Sequence, residues 1–489
     1  MRKRFEAQLT LGSTPIEHVQ IPTKYRDEFP PFLQAMQYIY SNKDVSEQVF
    51  TLLESVICIK QSTGRTGMDL WTLFVLAEAR LCLNIDHDRL HYLSNNDNLL
   101  RQILGVHDGI VRGREFDRQT IIDNVSLLND DVLREINHLV VQCGHKVLKK
   151  KETEVLRIKV DSFVTEANIH FPTDYNLLWD SGRKCIDVLE KLMETDVAYC
   201  SGWRKIEYWR KKLKNQMLIL SRATADKSKN RATRLSKAAG EYLFTAGSLY
   251  SKICNVKPLN PLDMVEAAMF KQLKYYSDML SKHIDLVERR LLKDEKIPHE
   301  EKIFSIFEPW VEWICKGKAH KPVELGKRTC IATDQFNFIL DWWVADHQQD
   351  NQLLLPVIDR IRNHYANISS CSCDKGFFSK IDIEILELFD IKAVIPKKGK
   401  RSVADFQREN EPEFIKAKRA HSAVESNINE LEHRGLDRCP DRGIGGMRRY
   451  VGLAVVAYNL RRLGQLLMEK DRKEAERKAR KKTKIRQAA

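Results

Sequence analysis

The chain has 489 residues, of which 43% are hydrophobic, and it carries a formal net charge of +14. This composition is sufficient for a folded core and excludes a globally disordered or collagen-like chain. The longest apolar run, residues 451–458, is far shorter than the roughly 20 residues that cross a bilayer. We therefore expect no membrane segment. The basic N-terminus lacks the apolar stretch of a signal peptide. We expect the eleven cysteines to be free thiols in a reducing cytoplasm.

The positive charge is concentrated in two segments. Residues 1–140 contain fifteen basic and nineteen acidic residues, whereas residues 201–240 contain twelve basic and two acidic ones. Residues 469–489 contain ten basic and four acidic residues. Trp203, Tyr208 and Trp209 lie within the first basic segment, and mixed basic and aromatic side chains are typical of nucleic-acid binding. A solvated helix face, with tryptophans packed in a core, is the alternative interpretation.

The first 150 residues are predicted to be helical, on the evidence of buried or amphipathic stretches at residues 70–81 and 130–141. Residues 155–165 are rich in β-branched residues and alternate in polarity, which predicts a strand. Helical periodicity returns from about residue 175 to 295. Strand patterns then follow at residues 305–315, 323–333 and 336–344.

The remaining elements alternate along the chain. We predict a helix near 351–364, a strand near 367–373, a helix near 381–389 and a strand at 393–396. Helices are predicted at residues 411–433 and 448–467. Residues 467–489 have no apolar stripe, so we expect a disordered basic arm.

Three acidic residues have informative positions: Asp161 in the first strand, Asp374 at the end of a short strand and Glu425 on a late helix. An acid at a strand end is most often a turn former. Three acids on adjacent strands and a packed helix, however, can converge. Converging carboxylates repel one another unless they bind cations, and oxygen ligands suit Mg²⁺ or Mn²⁺ better than zinc.

Several stretches resemble bacterial insertion-sequence transposases of the DDE type. Residues 160–180 (VDSFVTEANIHFPTDYNLLWD) are similar to the first-aspartate region of that family, and residues 373–379 (CDKGFFS) to its second-aspartate strand. Residues 419–435 (RAHSAVESNINELEHRG) are similar to its glutamate helix. Residues 301–309 (EKIFSIFEP), together with the short motifs KGK at 316–318 and ELG at 324–326, add to the resemblance.

The resemblance implies an α/β protein with an RNase H-like mixed-sheet catalytic core, interrupted by a helical insertion and preceded by an all-helical N-terminal domain. In this division, residues 1–150 bind the element ends and form multimers. Residues 151–466 form the catalytic domain, with the basic insertion at about 175–300. Residues 467–489 form the disordered tail.

The resemblance also implies a site. Asp161, Asp374 and Glu425 would be the catalytic residues and would hold two Mg²⁺ or Mn²⁺ ions. The DNA-binding candidates are basic residues of the insertion, the strand region and the late helix: Arg204, Arg210, Lys211, Lys212, Lys214, Lys316, Lys318, Lys418 and Arg419. Lys327 is a further candidate for a backbone contact.

The chain departs from the strict signature around the glutamate. Some relatives have a Tyr, an Arg and a Lys at the places that Lys418, His421 and Glu432 occupy here. Glu432 is therefore the alternative third ligand. His421 and His170 are each expected to be structural. The pair Cys371 and Cys373 lacks the second ligand pair of a zinc site.

The function implied is a transposase that cleaves DNA at element ends and joins the freed 3′-hydroxyls to target DNA. Its partner would be double-stranded DNA, namely terminal inverted repeats and target, bound by a homodimer or higher multimer. We expect no membrane and no nucleotide cofactor, and a cytoplasmic protein that joins the nucleoid on binding DNA. A metal-dependent nuclease of the same fold and an inactive DNA-binding derivative are the alternatives.

Overall fold

The computed structural model describes residues 2–5, 14–23, 26–57, 67–106, 113–203, 205–258, 263–315 and 322–488. The chain forms two compact units. The first comprises Met1–Asn168 and Ile314–Ala489, and the second comprises Ile169–Trp313. The N-terminal helices therefore share a unit with the sheet, whereas the sequence predicted a separate domain for residues 1–150. The second unit corresponds to the predicted insertion and is longer at both ends.

Seven helices precede the sheet: α1 Phe29–Ser41, α2 Lys43–Val56, α3 Leu70–Cys82, α4 His87–Asn96, α5 Asn98–Ile103, α6 Arg118–Val125 and α7 Asp130–Val147. Their starts follow from capping chemistry. The Asp or Asn before each of α2 to α7 accepts a hydrogen bond from a backbone N–H of the first turn. Every residue of α3 is buried, which explains its continuous apolar sequence.

The second unit is built mainly from four long helices: α8 Asp174–Thr195, α9 Ile206–Ala225, α10 Arg231–Cys254 and α11 Met264–Leu291. Their apolar stripes form one hydrophobic core, in which Leu189, Leu213, Leu249 and Leu280 are fully buried. Gly182 on α8 allows the side chain of Leu213 on α9 to pack closely against the α8 backbone, because a Cβ at Gly182 would lie 2.5 Å from Leu213. This unit is a helical bundle.

The strands are β1 Leu156–Ala167, β2 Glu312–Ile314, β3 Glu324–Thr333, β4 Ile339–Val344, β5 Ile368–Cys373, β6 Lys392–Val394 and β7 Arg438–Cys439. The later helices are α12 Leu354–His364, α13 Lys380–Leu388, α14 Val403–Glu409, α15 Pro412–His421, α16 Ala423–Leu431 and α17 Gly443–Ala488. The strands and helices predicted between residues 323 and 396 are confirmed as β3 to β6 with α12 and α13. The single helix predicted at 411–433 is divided into α15 and α16, and α14 and β7 were not predicted. The strand predicted at 305–315 is reduced to the three residues of β2.

The sheet is mixed, with β1 at its centre. β3 pairs with β1 in the antiparallel direction and β4 pairs antiparallel with β3, whereas β5 and β6 continue in the parallel direction on the other side. β7 pairs with the end of β1. The pairings give the order β4–β3–β1–β5–β6, and β2 also pairs with β3. The strand that carries Asp161 and the strand that precedes Asp374 are therefore neighbours.

The two faces of the sheet differ in chemistry. Ile158 and Val160 of β1 and Cys371 and Cys373 of β5 belong to one hydrophobic core, which also contains apolar residues of α12 and α13. Because side chains alternate along a strand, the residues between them point to the opposite face. That face contains Lys159 and Asp161 of β1 and Ser372 of β5. It is covered by α15 and α16, which contact β5 and β1.

The last helix, α17, continues through the basic tail. Most of its residues from Tyr450 to Leu467 are buried, and those from 469 to 480 are exposed. The sequence predicted disorder here because the tail has no apolar stripe, but the helix extends beyond the core without one. Among the described helices, none has the length and apolar character needed to cross a bilayer.

Candidate active site

Asp161 and Asp374 occupy equivalent positions on the two central parallel strands. Val160 pairs with Cys373 in the parallel register; Asp161 is the next residue of β1, and Asp374 is the first residue after β5. Side chains at matching positions of parallel strands point to the same face, so both carboxylates lie on the polar face. Asp161 is half-buried, whereas the side chain of Asp374 is 68% exposed.

Asp374 lies where β5 ends and the chain turns. β5 ends at Cys373, and Asp374 begins a 3-10 turn at Lys375–Phe377. Gly376 lies in that turn against Asp350, where a Cβ would be 3.1 Å from the carboxylate.

His421 connects the late helices to this edge of the sheet. Its ring is 7% exposed, with Nδ1 3.2 Å from the Ser372 hydroxyl and Nε2 3.8 Å from an Asp374 carboxylate oxygen. Nε2 is buried and makes no hydrogen bond with any described residue. The histidine expected to be merely structural therefore faces the second aspartate directly.

Glu425 belongs to the same group of charges. It lies four residues after His421 across Ser422, whose backbone angles are helical, so both side chains lie on one side of the helical path. Burial lowers the pKa of His421, while the charges of Asp374 and Glu425 raise it. Glu425 is exposed, and its helix α16 contacts β1.

The three acids do not form a closed ligand cluster. Asp161, Asp374 and Glu425 do not form a group in which all the ligand oxygens lie within 4.8 Å of one another. The alternative acid, Glu432, begins the π-type turn that follows α16 and is half-buried. Asp374 and Glu425, by contrast, are exposed and free to change rotamer.

Lys159 shares the polar face with Asp161. It lies two residues earlier on β1 and is 7% exposed, with its ammonium donating to the backbone oxygen of Asp334 at 3.2 Å. Burial lowers the pKa of Lys159. Sequence reasoning missed Lys159 and Ser372, although the same alternation that predicted β1 and β5 places both on the face of the aspartates.

Four of the predicted DNA contacts either form ion pairs or lie outside the described residues. Arg204, Lys316 and Lys318 fall outside. Arg210 is bound by three carboxylates, those of Asp187, Glu190 and Glu207, which neutralise it. The sequence treated Arg210 as a free cation because its partners on α8 are about twenty residues away in the chain.

Lys327 is also not a surface cation. It is 1% exposed, and its ammonium donates to Asp346 at 2.6 Å. The apolar pattern around it on β3 buries it with the strand. The structure therefore does not place Lys327 among the exposed cations of the first unit.

The remaining basic candidates stay accessible. Lys211 and Lys214 on α9 are exposed, and Lys212 lies over the ring of Tyr208, with its ammonium 5.7 Å from the ring centre. Lys418 and Arg419 on α15 are exposed within two helical turns of Glu425. None of Lys211, Lys214, Lys418 and Arg419 forms an ion pair with a residue of the described part of the chain.

The aromatic residues of the basic segment differ in whether they pack in the core or remain accessible for binding. Trp203 and Trp209 pack against the core of the helical bundle, and Lys252 lies over both rings. Tyr208 is 53% exposed. The tryptophans are therefore core residues, and Tyr208 is the aromatic side chain that remains accessible. His170 is structural as expected, with Nε2 3.3 Å from Asp180.

The cysteines are unpaired where the structure describes their side chains. Nine free thiols are present in these regions, and Cys371 and Cys373 lie with their sulfurs 3.7 Å apart in the core.

Comparison with known proteins finds no matching family model, no matching curated protein and no matching solved structure.

Proposed function

We propose that the chain is a metal-dependent transposase of the DDE type, with an RNase H-like core that cleaves DNA and joins the freed ends. The observation that carries this proposal is the position of Asp161 and Asp374 at matching places on adjacent parallel strands, beneath the helices that carry His421 and Glu425. The order β4–β3–β1–β5–β6, with β3 and its neighbours antiparallel, supports the same assignment.

The donor set fits a hard divalent cation. Asp161, Asp374 and Glu425 offer only carboxylate oxygens, the ligand type that Mg²⁺ and Mn²⁺ prefer. Such ions, when bound, would activate the attacking oxygen and stabilise the leaving oxygen of the phosphodiester. The exposure of Asp374 and Glu425 leaves their oxygens accessible to a DNA backbone.

The surrounding side chains have supporting roles on this proposal. Lys418 and Arg419 are exposed on the helix that leads to Glu425 and would neutralise phosphate charge. His421 is held by Ser372 and would fix the orientation of Asp374. Hydrolysis at the element ends would free 3′-hydroxyls, which then attack target DNA.

The experiment uses a plasmid that carries the DNA flanking the coding sequence. With Mg²⁺ or Mn²⁺, the full-length protein should cut that DNA and join the freed ends to a second plasmid. Asp374→Asn should reduce both activities by at least about 100-fold, because one ligand of the reacting centre is lost. Asp390→Asn is the matched control, because Asp390 is exposed and follows α13, away from the polar face.

The possible results distinguish the candidate functions. Cleavage without joining would support a nuclease, and DNA binding without either activity would support an inactive derivative. Full cleavage by Asp374→Asn would refute the assignment of the site.

A further inference from the structure

A second group of metal-binding side chains lies in the first unit, on elements distinct from the polar face of β1 and β5. Glu135 and His138 are one helical turn apart on α7, and His364 ends α12. One ligand atom from each of the three side chains lies within 4.8 Å of the others. Two imidazoles and one carboxylate are the donor set of many three-ligand zinc sites.

The group lines a cavity that offers room for an ion and its water. The cavity has a volume of about 470 Å³ and is bounded by α2, α7, α12 and β4. His138 is buried on its floor, whereas the side chains of Glu135 and His364 are 48% and 29% exposed. An ion would therefore reach the buried histidine through the two exposed ligands.

The histidines are held in a way that suits metal binding. Nδ1 of His138 lies 3.2 Å from the hydroxyl of Tyr365, and such a bond fixes the ring plane of a metal ligand. Burial, together with the charges of His364, Arg134 and Arg360, lowers the pKa of His138. The rings of His138 and His364 stack with centres 3.5 Å apart.

The two arginines beside the cavity are each bound by a carboxylate. Arg134 and Arg360 face the buried Asp341, and Arg134 also binds Asp130. The acidic side chains at and beside the cavity outnumber the basic ones by two, namely Asp130, Asp131, Glu135 and Asp341 against Arg134 and Arg360. One divalent ion would balance this excess.

We propose that Glu135, His138 and His364 bind a transition-metal ion of the zinc class, which ties α7 to the end of α12. Binding requires the exposed His364 to rotate from its stacked position. Because α12 leads directly into β5, the ion would anchor the strand that ends at Asp374. The site is independent of the proposed function, since it uses none of the three acids.

The test measures Zn²⁺ binding to the full-length protein after treatment with a chelator, by isothermal titration calorimetry. We expect one ion bound per chain at this site, a higher melting temperature with Zn²⁺, and a visible spectrum typical of nitrogen and oxygen ligands with Co²⁺. Glu135→Gln and His364→Asn should each weaken Zn²⁺ binding by at least about 100-fold, since losing a ligand exceeds the effect of losing its supporting hydrogen bond.

Three controls make the result specific. His18→Asn changes an exposed histidine outside the cluster and should leave Zn²⁺ affinity unchanged. Asp374→Asn removes a proposed Mg²⁺ ligand and should also leave it unchanged, so failure of either site is recognised separately. Both ligand variants alter partly exposed side chains and should retain the circular dichroism spectrum. Wild-type affinity in Glu135→Gln and His364→Asn, or no stoichiometric binding by the wild-type protein, would overturn the proposal.

Discussion

Asp341 on β4 is the centre of a buried ionic network. Its carboxylate is 3% exposed and accepts hydrogen bonds from Arg134 Nη1 at 2.6 Å and from Arg360 Nε and Nη2 at 2.9 and 2.6 Å. Arg134 also packs over Trp342, with its guanidinium carbon 4.6 Å from the ring centre. One carboxylate thus joins two guanidinium groups that come from different helices.

Asp341→Asn should destabilise the first unit substantially. Removing one partner of a buried ion pair costs about 3–5 kcal/mol, because the remaining charges are left without compensation. Asparagine keeps the shape and one acceptor oxygen, so we expect the lower end, about 3 kcal/mol. That is a large fraction of the roughly 5–15 kcal/mol that stabilises a typical domain.

Urea denaturation followed by far-ultraviolet circular dichroism, with hydrogen exchange at the amides of β4, measures this loss. The control is Asp359→Asn on α12, an exposed aspartate close to Arg360 in sequence, which should change stability by less than about 0.5 kcal/mol. An Asp341→Asn protein within 1 kcal/mol of the wild type would refute the argument that the network depends on this carboxylate.

Two further predictions concern charge on other helices. Replacing both Lys211 and Lys214 with Gln should reduce the slope of log affinity for DNA against log salt concentration by about 1.8, since each phosphate contact contributes about 0.9. Lys274→Gln is the control, because Lys274 is already paired with Asp278. An unchanged slope in the double variant would show that the lysines of α9 only face solvent. His87 has its pKa lowered from 6.5 to about 4, chiefly by burial. Between about pH 4 and pH 6.5 the unfolded state therefore binds more protons than the folded state. The free energy of unfolding consequently decreases as the pH falls below 6.5. At pH 5 the loss through His87 is at most about 2 kcal/mol, and His87→Gln should show a correspondingly weaker dependence on pH in urea denaturation.

Local sequence patterns predicted the elements that carry the candidate site. The alternation at 155–165 corresponds to β1 at Leu156–Ala167, and the short pattern near 367–373 corresponds to β5 at Ile368–Cys373. Alternation predicts which face a side chain occupies, so the common face of Asp161 and Asp374 follows once the strands are known to be parallel neighbours. The pairing itself is a long-range property that no local pattern contains.

Long-range partners account for the errors. Lys327 and Arg210 resemble surface cations in sequence, but Asp346 and the carboxylates of α8 and α9 neutralise them. Likewise, the N-terminal helices looked like a separate domain because their contacts with α17 join residues hundreds of positions apart. Charge counting cannot distinguish a free cation from a paired one.

The basic end of α17 extends beyond the core, and the length of this segment depends on whether it is helical. Beyond Leu467 the helix lacks a packed face and is supported by its own backbone bonds and by pairs such as Glu469 with Lys473, 2.6 Å apart. Such an unsupported helix exchanges with coil within about a microsecond. It rises about 1.5 Å per residue when folded and extends to about 3.3 Å per residue when melted. Melting of this helix therefore increases the distance from the core at which the basic residues of the tail can contact an anionic surface. No hinge in the core is required.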